Sequence, residues 1–134
     1  MHKYMTFACA AAFTLTTTVS AQSDTNEAEA VSAVQRHVDA YRSGSLDRFV
    51  ATFAPDATVT VSGVTASGRA EIRAFYASNF ADNPHTIRVV DSGMGNGFVY
   101  VTAAYTFSDK IERCCSYSEY EVRGGKIASL NVTF

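Results

Sequence analysis

The sequence predicts an α+β fold, with three helices first, a run of antiparallel strands after them, and the helices packed on one face of a curved sheet. Three observations carry this. Val31, Val34, Val38 and Tyr41 recur at helical spacing and form one apolar stripe. From His85 onward the apolar period changes to two, the signature of strands. Short turns, at residues 92–97, at Ser108-Asp109-Lys110 and at Gly124-Gly125, separate those strands and favour hairpins.

The chain opens MHKYMTFACAAAFTLTTTVSAQS. His2 and Lys3 make a basic start, residues 5 to 19 are mostly apolar or small, and Val19-Ser20-Ala21 ends in small side chains. That pattern predicts a secretory signal peptide over 1–21, cut after Ala21, and a single exported domain over 22–134. The apolar run is too short and too rich in threonine to span a membrane, and no second run of spanning length follows. No cysteine follows the cut to carry a lipid. Of 11 Lys+Arg and 13 Asp+Glu only Lys3 lies in the leader, which leaves 10 against 13 and a net charge of −3. With no basic run or face, neither nucleic acid nor an anionic membrane is expected as a partner. The remaining 113 residues suffice for one modest core.

Each element has its own reason. The first helix is expected from about Thr25 to Arg42, with Asp24 and Glu27 at capping-box spacing. Ser43-Gly44-Ser45 breaks it. A short second helix, LDRFVATF, follows with Ser45 as N-cap and Asp47 in its first turn, and Pro55 closes it. Ala57–Val61 alternates as a strand, and residues 63–68 read as a loop before the third helix. There Ile72, Phe75, Tyr76, Asn79 and Phe80 share a face, with Arg69, Glu71 and Arg73 on the solvated side. Asp82-Asn83-Pro84 stops that helix. Strands are predicted at His85–Asp91, Phe98–Phe107, Ile111–Arg123 and Lys126–Phe134. Ten aromatics (Phe49, Phe53, Phe75, Tyr76, Phe80, Phe98, Tyr100, Tyr105, Tyr120 and Phe134) are expected to line the space between helices and sheet.

The segments VQRHVDAYRSGSLDRFVATFAPDATVTV, GRAEIRAFYASNF and YEVRGGKIASLNVTF resemble the nuclear-transport-factor-2-like superfamily. The nearest likeness is to its ketosteroid-isomerase and SnoaL-like (polyketide cyclase-like) branch, over essentially everything after the leader. The resemblance implies a cone-shaped, cystatin-like fold with a deep, mostly apolar pocket between the first helix and the sheet. It also implies a homodimer through the outer sheet face. Ketosteroid isomerase shuttles a proton with a carboxylate base and holds the enolate oxygen with a tyrosine and a protonated acid. Alignment with that family puts its tyrosine at His37, its base at Val61 and its second acid at Ser118. Valine cannot accept a proton, so the isomerase base is absent, while His37 and Ser118 remain as donors to a ligand oxygen.

His37 is the leading candidate for catalysis. It shares a helix face with Val34 and Tyr41, and an imidazole near neutrality could act as acid, base or oxyanion donor. The alternative is a buried histidine satisfied by a hydroxyl such as Ser118 or Tyr120. Tyr41, Val61, Phe75, Tyr76, Ser118 and Tyr120 are the candidate ligand-binding residues. His85 begins a strand after Asp82-Asn83-Pro84 and reads as a strand-end residue near solvent. No spacing resembles a zinc or calcium site, no serine sits in a nucleophile elbow, and nothing calls for a cofactor. By strand parity Cys114 shares the pocket face with Ser116, Ser118 and Tyr120 as a packed thiol, and Cys115 faces outward. A vicinal disulfide would need a distorted turn. Two functions stay open: a domain that binds a small hydrophobic, ring-containing carbonyl compound, and an isomerase, cyclase or dehydratase using His37 as acid or base.

Overall fold

The computed structural model describes residues 19–81 and 86–134, with side chains from residue 26 onward. Helix α1 spans Val19–Arg42, α2 Leu46–Ala51 and α3 Gly68–Ala81. Strands β1 Phe53–Val61, β2 Val64–Ser67, β3 Thr86–Met94, β4 Val99–Thr106, β5 Glu112–Arg123 and β6 Lys126–Thr133 form one six-stranded sheet in the order β2-β1-β6-β5-β4-β3. All neighbours are antiparallel except β1 and β6, which run parallel. The predicted α+β class holds, with a mixed and unclosed sheet.

The sheet curves because its ladders are broken. Register shifts fall between Phe53 and Thr58, Val89 and Asp91, Ala103 and Ala104, and Glu121 and Val122. Each leaves extra residues on one strand, which bends it and increases its twist. The helices fill the concave side. There α1 packs on β3, β4, β5 and β6, and α3 packs on β1 and β2. Ala33, Val34, Val38 and Ala40 of α1 are buried there, whereas Val31, expected in the stripe, is 43% exposed.

Helix α1 already runs through Ser23-Asp24-Thr25, so these residues do not cap it as the sequence suggested. Ser45 does cap α2, its hydroxyl accepting the Arg48 amide at 3.2 Å. That helix ends at Ala51, earlier than expected, and β1 begins at Phe53 before Pro55. Proline is tolerated there because it falls inside the irregular stretch between Phe53 and Thr58, where the pairing with β6 lapses. Residues 64–67, read as loop, form β2 instead. Ser62 and Gly63 both have positive φ, 48° and 85°, as a primed hairpin turn requires, and Val61 then pairs with Val64.

Two further corrections concern side chains. Phe98 and Tyr100 were expected inside, yet Val99, Val101 and Ala103 take the buried face of β4. Tyr100 lies over Gly93 on the other face, where any Cβ would come within 2.6 Å of its hydroxyl, and it stacks on Tyr117. Arg69 is not a solvated bystander. Its Nε donates to the Phe53 carbonyl at 2.9 Å, with Nη2 alongside, at the point where the ladder breaks. Glu71 accepts the Ser67 amide at 2.7 Å, and Arg73 pairs with Asp47 on the surface.

Replacing Arg69 with methionine removes that donor from a buried residue. Urea denaturation should register a loss of about 1–3 kcal/mol, the scale of a buried carbonyl left unpaired. Arg73→Met breaks only an exposed ion pair and should cost under about 1 kcal/mol. Equal losses in the two variants would show that Arg69 does not hold the break in β1.

Candidate functional site

A half-open cavity of about 490 Å³ lies between α1, α3 and the concave sheet. His37, Tyr41, Val61, Phe75, Tyr76, Ser118 and Tyr120 all lie on its wall. These seven residues come from two helices and two strands and are separated in sequence by up to 83 positions (His37 to Tyr120). Tyr105, Ile87, Leu130 and Val132 complete the inner wall, and Ser78, Asn79, Phe107, Ser108 and Phe134 contribute to the rest. Phe134, at 70% exposure, stands at the opening.

The inner end is a nest of rings. Phe49, 1% exposed, sits at its centre with its ring centroid 4.7 Å from that of His37, 5.3 Å from Phe53, 4.7 Å from Tyr76 and 5.1 Å from Phe80. Most of these contacts are tilted or edge-to-face, the arrangement the ring quadrupoles favour.

His37 is 3% exposed and is paired with a hydroxyl, although neither of the two the sequence suggested. Its Nδ1 lies 2.8 Å from Thr52 Oγ1. The Thr52 hydroxyl is in turn 2.7 Å from the Phe49 carbonyl, to which it donates. A hydroxyl has one proton, so toward His37 it is an acceptor and Nδ1 is the donor. In this arrangement Nε2 is left without a proton, so His37 presents an acceptor where the sequence suggests a donor. Burial also lowers the imidazole from its ordinary value to about 3, so it stays neutral near pH 7.

The other polar groups on the wall are also uncharged. Burial, with neighbouring phenols adding, raises Tyr41, Tyr76 and Tyr120 above the ordinary phenol range. The Ser118 hydroxyl beside Tyr120 works weakly the other way. Burial raises Tyr105 too, against the neighbouring Ser116. All four phenols therefore keep their protons and can donate. Among the described residues, no carboxylate, lysine or arginine side chain lies on the wall. At Val61, the position aligned with the isomerase base, the wall is aliphatic.

Thr52, which fixes His37, was missed from sequence, where it was only a residue of the second helix. Its signal is a threonine at a helix end, where a hydroxyl commonly bonds back to a carbonyl three residues earlier. His85 lies outside the described residues. Cys114 and Cys115 form a vicinal disulfide, against the expectation of a packed thiol. Ser116 faces Ala103 and Cys114 faces Ala104, so Cys115 is the extra residue of the break and the alternation slips at that point. Cys114 is consequently exposed and Cys115 half-buried, while Ser116, Ser118 and Tyr120 keep the predicted inward parity. Among the described residues no group of three or more His, Cys, Asp or Glu is placed to hold a metal ion.

A helix-filled, curved sheet around an apolar cavity defines a nuclear-transport-factor-2-like protein. Residues 34–130 match the SnoaL-like domain model, and the chain belongs to that family. No curated protein matches it in sequence. Among solved structures it resembles SalBIII, an epoxide hydrolase/cyclase-like enzyme of pyran ring formation in the polyether salinomycin. The identity is 22% and the TM-score 0.69, over 81% of this chain and 92% of that one. A ketosteroid isomerase-like fold from Catenulispora acidiphila, in complex with trimethylamine, matches at 18% identity and TM-score 0.66, covering 76% and 84% of the two chains. A nuclear-transport-factor-2-like protein from Burkholderia xenovorans matches at 17% and 0.66, covering 79% and 82%. At these identities the likeness concerns the fold.

The neutral His37 has a consequence for stability. An unfolded histidine titrates near 6.5, about where the folded one, with its value near 3, still refuses a proton. The unfolded state therefore holds more protons between those values. Stability should fall as pH drops through that window, by at most about 1.4 kcal/mol per pH unit. Denaturation at a series of pH values should show this slope in the wild type and a shallower one in His37→Phe. Exposed carboxylates such as Asp109 and Glu112, held low by Arg113 and Arg88, titrate in both proteins and cancel in the difference. Identical slopes would mean that His37 is not buried neutral.

Proposed function

We propose that this chain is an exported SnoaL-like domain that binds a small, mainly apolar, ring-containing compound carrying a carbonyl group. What carries the reading is the character of the cavity wall: protonated phenols and serine hydroxyls among apolar side chains, with no charged side chain among the described residues. Its volume of about 490 Å³ falls within the range of about 300–1,000 Å³ typical of small-molecule sites. Such a wall suits a neutral ligand, since an ion would lose its hydration with no opposite charge to meet it. A ligand carbonyl would accept from a phenol or from Ser118.

The second reading is an isomerase, cyclase or dehydratase using His37 as acid or base, and the likeness to SalBIII favours it. Against it stand two features of the site. A group that holds its proton only near pH 3 is a poor general acid at neutrality and a weak base. Val61 also supplies no carboxylate in place of the isomerase base. Binding without turnover is the better account.

A native mass spectrum of protein purified from its own host would reveal a retained ligand. In titrations an apolar cyclic enone should bind, and Tyr120→Phe should weaken it by about 1–2 kcal/mol, the scale of one hydrogen bond. Charged analogues binding more tightly than neutral ones would overturn the reading. Ketosteroid isomerisation should be negligible in the wild type, and Val61→Asp should introduce weak activity. Robust turnover by the wild type would restore the enzyme reading. Export is tested separately: intact mass of the exported fraction should place the first residue at Gln22, and a full-length chain there would end that proposal.

A further inference from the structure

Nε2 of His37 is a buried polar atom on the cavity wall with no hydrogen-bond partner among the described residues. Its other nitrogen is fully accounted for. Nδ1 lies 2.8 Å from Thr52 Oγ1, and the Thr52 hydroxyl points its only proton at the Phe49 carbonyl 2.7 Å away. With the opposite tautomer, Thr52 would turn its proton to the ring and leave two oxygens 2.7 Å apart with no hydrogen between them. The Phe49 carbonyl also accepts the Thr52 amide at 3.1 Å, so this corner is closed by its own bonds.

The direction of the ring follows from which residues reach the cavity. Thr52 does not lie on the wall and His37 does, so the edge turned inward is the one away from Nδ1, which carries Nε2. The rings of Phe49, Phe53 and Tyr120 lie around the imidazole at centroid distances of 4.7, 5.0 and 5.2 Å. No hydrogen bond joins any of these rings to the imidazole. Beside wall hydroxyls that can donate or accept, and the Asn79 amide, Nε2 is thus a nitrogen fixed as an acceptor.

We propose that Nε2 of His37 selects the ligand by accepting a hydrogen bond from a hydroxyl, and that Thr52 is the positioning residue that locks the imidazole as an acceptor. The ligand is then a neutral ring compound with a phenolic or alcoholic hydroxyl, including a hydroxylated carbonyl compound whose carbonyl meets a phenol or Ser118. This deepens the binding function proposed above and rests on it. A ketone with no hydroxyl presents only a lone pair to a lone pair. An ammonium could donate, but it would bring in a charge that no carboxylate side chain among the described wall residues balances. A site built to hydrogen-bond a hydroxyl discriminates against analogues that lack it, because its buried acceptor is then left unpaired.

The test uses β-naphthol, its methyl ether and naphthalene, titrated into the full chain. The wild type should bind β-naphthol about tenfold more tightly than either of the others, the ratio expected of one hydrogen bond. His37→Phe should bring the three affinities to within about twofold of one another while still binding the ether and naphthalene. Thr52→Val should lower the preference, and Thr52→Ser, which keeps the hydroxyl, should retain it. NMR of the imidazole nitrogens should find the proton on Nδ1 in the wild type and Thr52→Ser, and a mixture of tautomers in Thr52→Val. That readout would not move if Thr52 were merely structural, and the wild-type measurement needs no variant to fold. Equal affinities for the three probes in the wild type, or a proton on Nε2, would overturn the inference and leave the binding function standing. Binding of none of the three would overturn both.

Discussion

Thr52 joins three elements through four hydrogen bonds, and the position of the cavity depends on it. Its amide and its hydroxyl both close onto the Phe49 carbonyl, ending α2. Its hydroxyl oxygen accepts from His37 on α1, and its own carbonyl accepts the Ile127 amide of β6 at 2.9 Å. Next to it the Ala51 carbonyl accepts Lys126 Nζ at 2.9 Å, a cation placed where the helix end is negative. A six-residue helix has little stability of its own. Its orientation is set by these tertiary bonds, and with it the depth to which Phe49 enters the core. Were α2 free to rotate, Phe49 would leave His37, Tyr76 and Phe80 without a common neighbour.

The parts of this arrangement that were legible in the sequence are those governed by local periodicity. The glycine break at Gly44, the Ser45 cap and the change of period after residue 85 report directly on nearby backbone. Residues on one helix face or one strand face could be gathered onto the pocket, as Phe75 with Tyr76 and Ser118 with Tyr120 were. What could not be read is where two strands fail to match. A break in register depends on both partners, and only one of them is local. Hence Pro55 looked like the end of a helix when it lies in an irregular strand, and Cys114 was assigned a face that the extra residue Cys115 takes from it. Residues 64–67 were lost because Ser62-Gly63 is a less familiar hairpin turn than Asn-Gly. The partner of His37 was missed because Thr52 is fifteen residues away and meets it only once α2 folds back.

The same irregularities make the site. A regular six-stranded sheet would lie flatter against α1, and its inner side chains would close onto Val34 and Val38. The breaks in β1, β3, β4–β5 and β5–β6 curl the sheet away instead and open the space that the aromatics only partly fill. Curvature has a requirement of its own, because the carbonyls left without ladder partners must be met. Arg69 meets the one at Phe53 from α3, which ties the third helix to the most irregular part of the sheet. Packing, curvature and cavity are therefore a single constraint here.

Charge distribution separates the wall from the rest of the protein. The ion pairs formed by Arg42, Arg73, Arg88, Arg113 and Arg123 all lie at the surface, where water screens them and each contributes little. Inside, the buried polar side chains among the described residues include His37, Ser116 and Ser118, none of them charged. A carboxylate at position 61, as in the isomerase, would sit on the same wall as the lone pair of His37 and among phenols that do not ionise. It would be stabilised by donated hydrogen bonds yet repelled by that acceptor. An aliphatic Val61 and a neutral His37 bonded to Thr52 are thus compatible with each other. Together they describe a cavity whose described wall is polar through hydrogen-bonding groups and not through charged side chains.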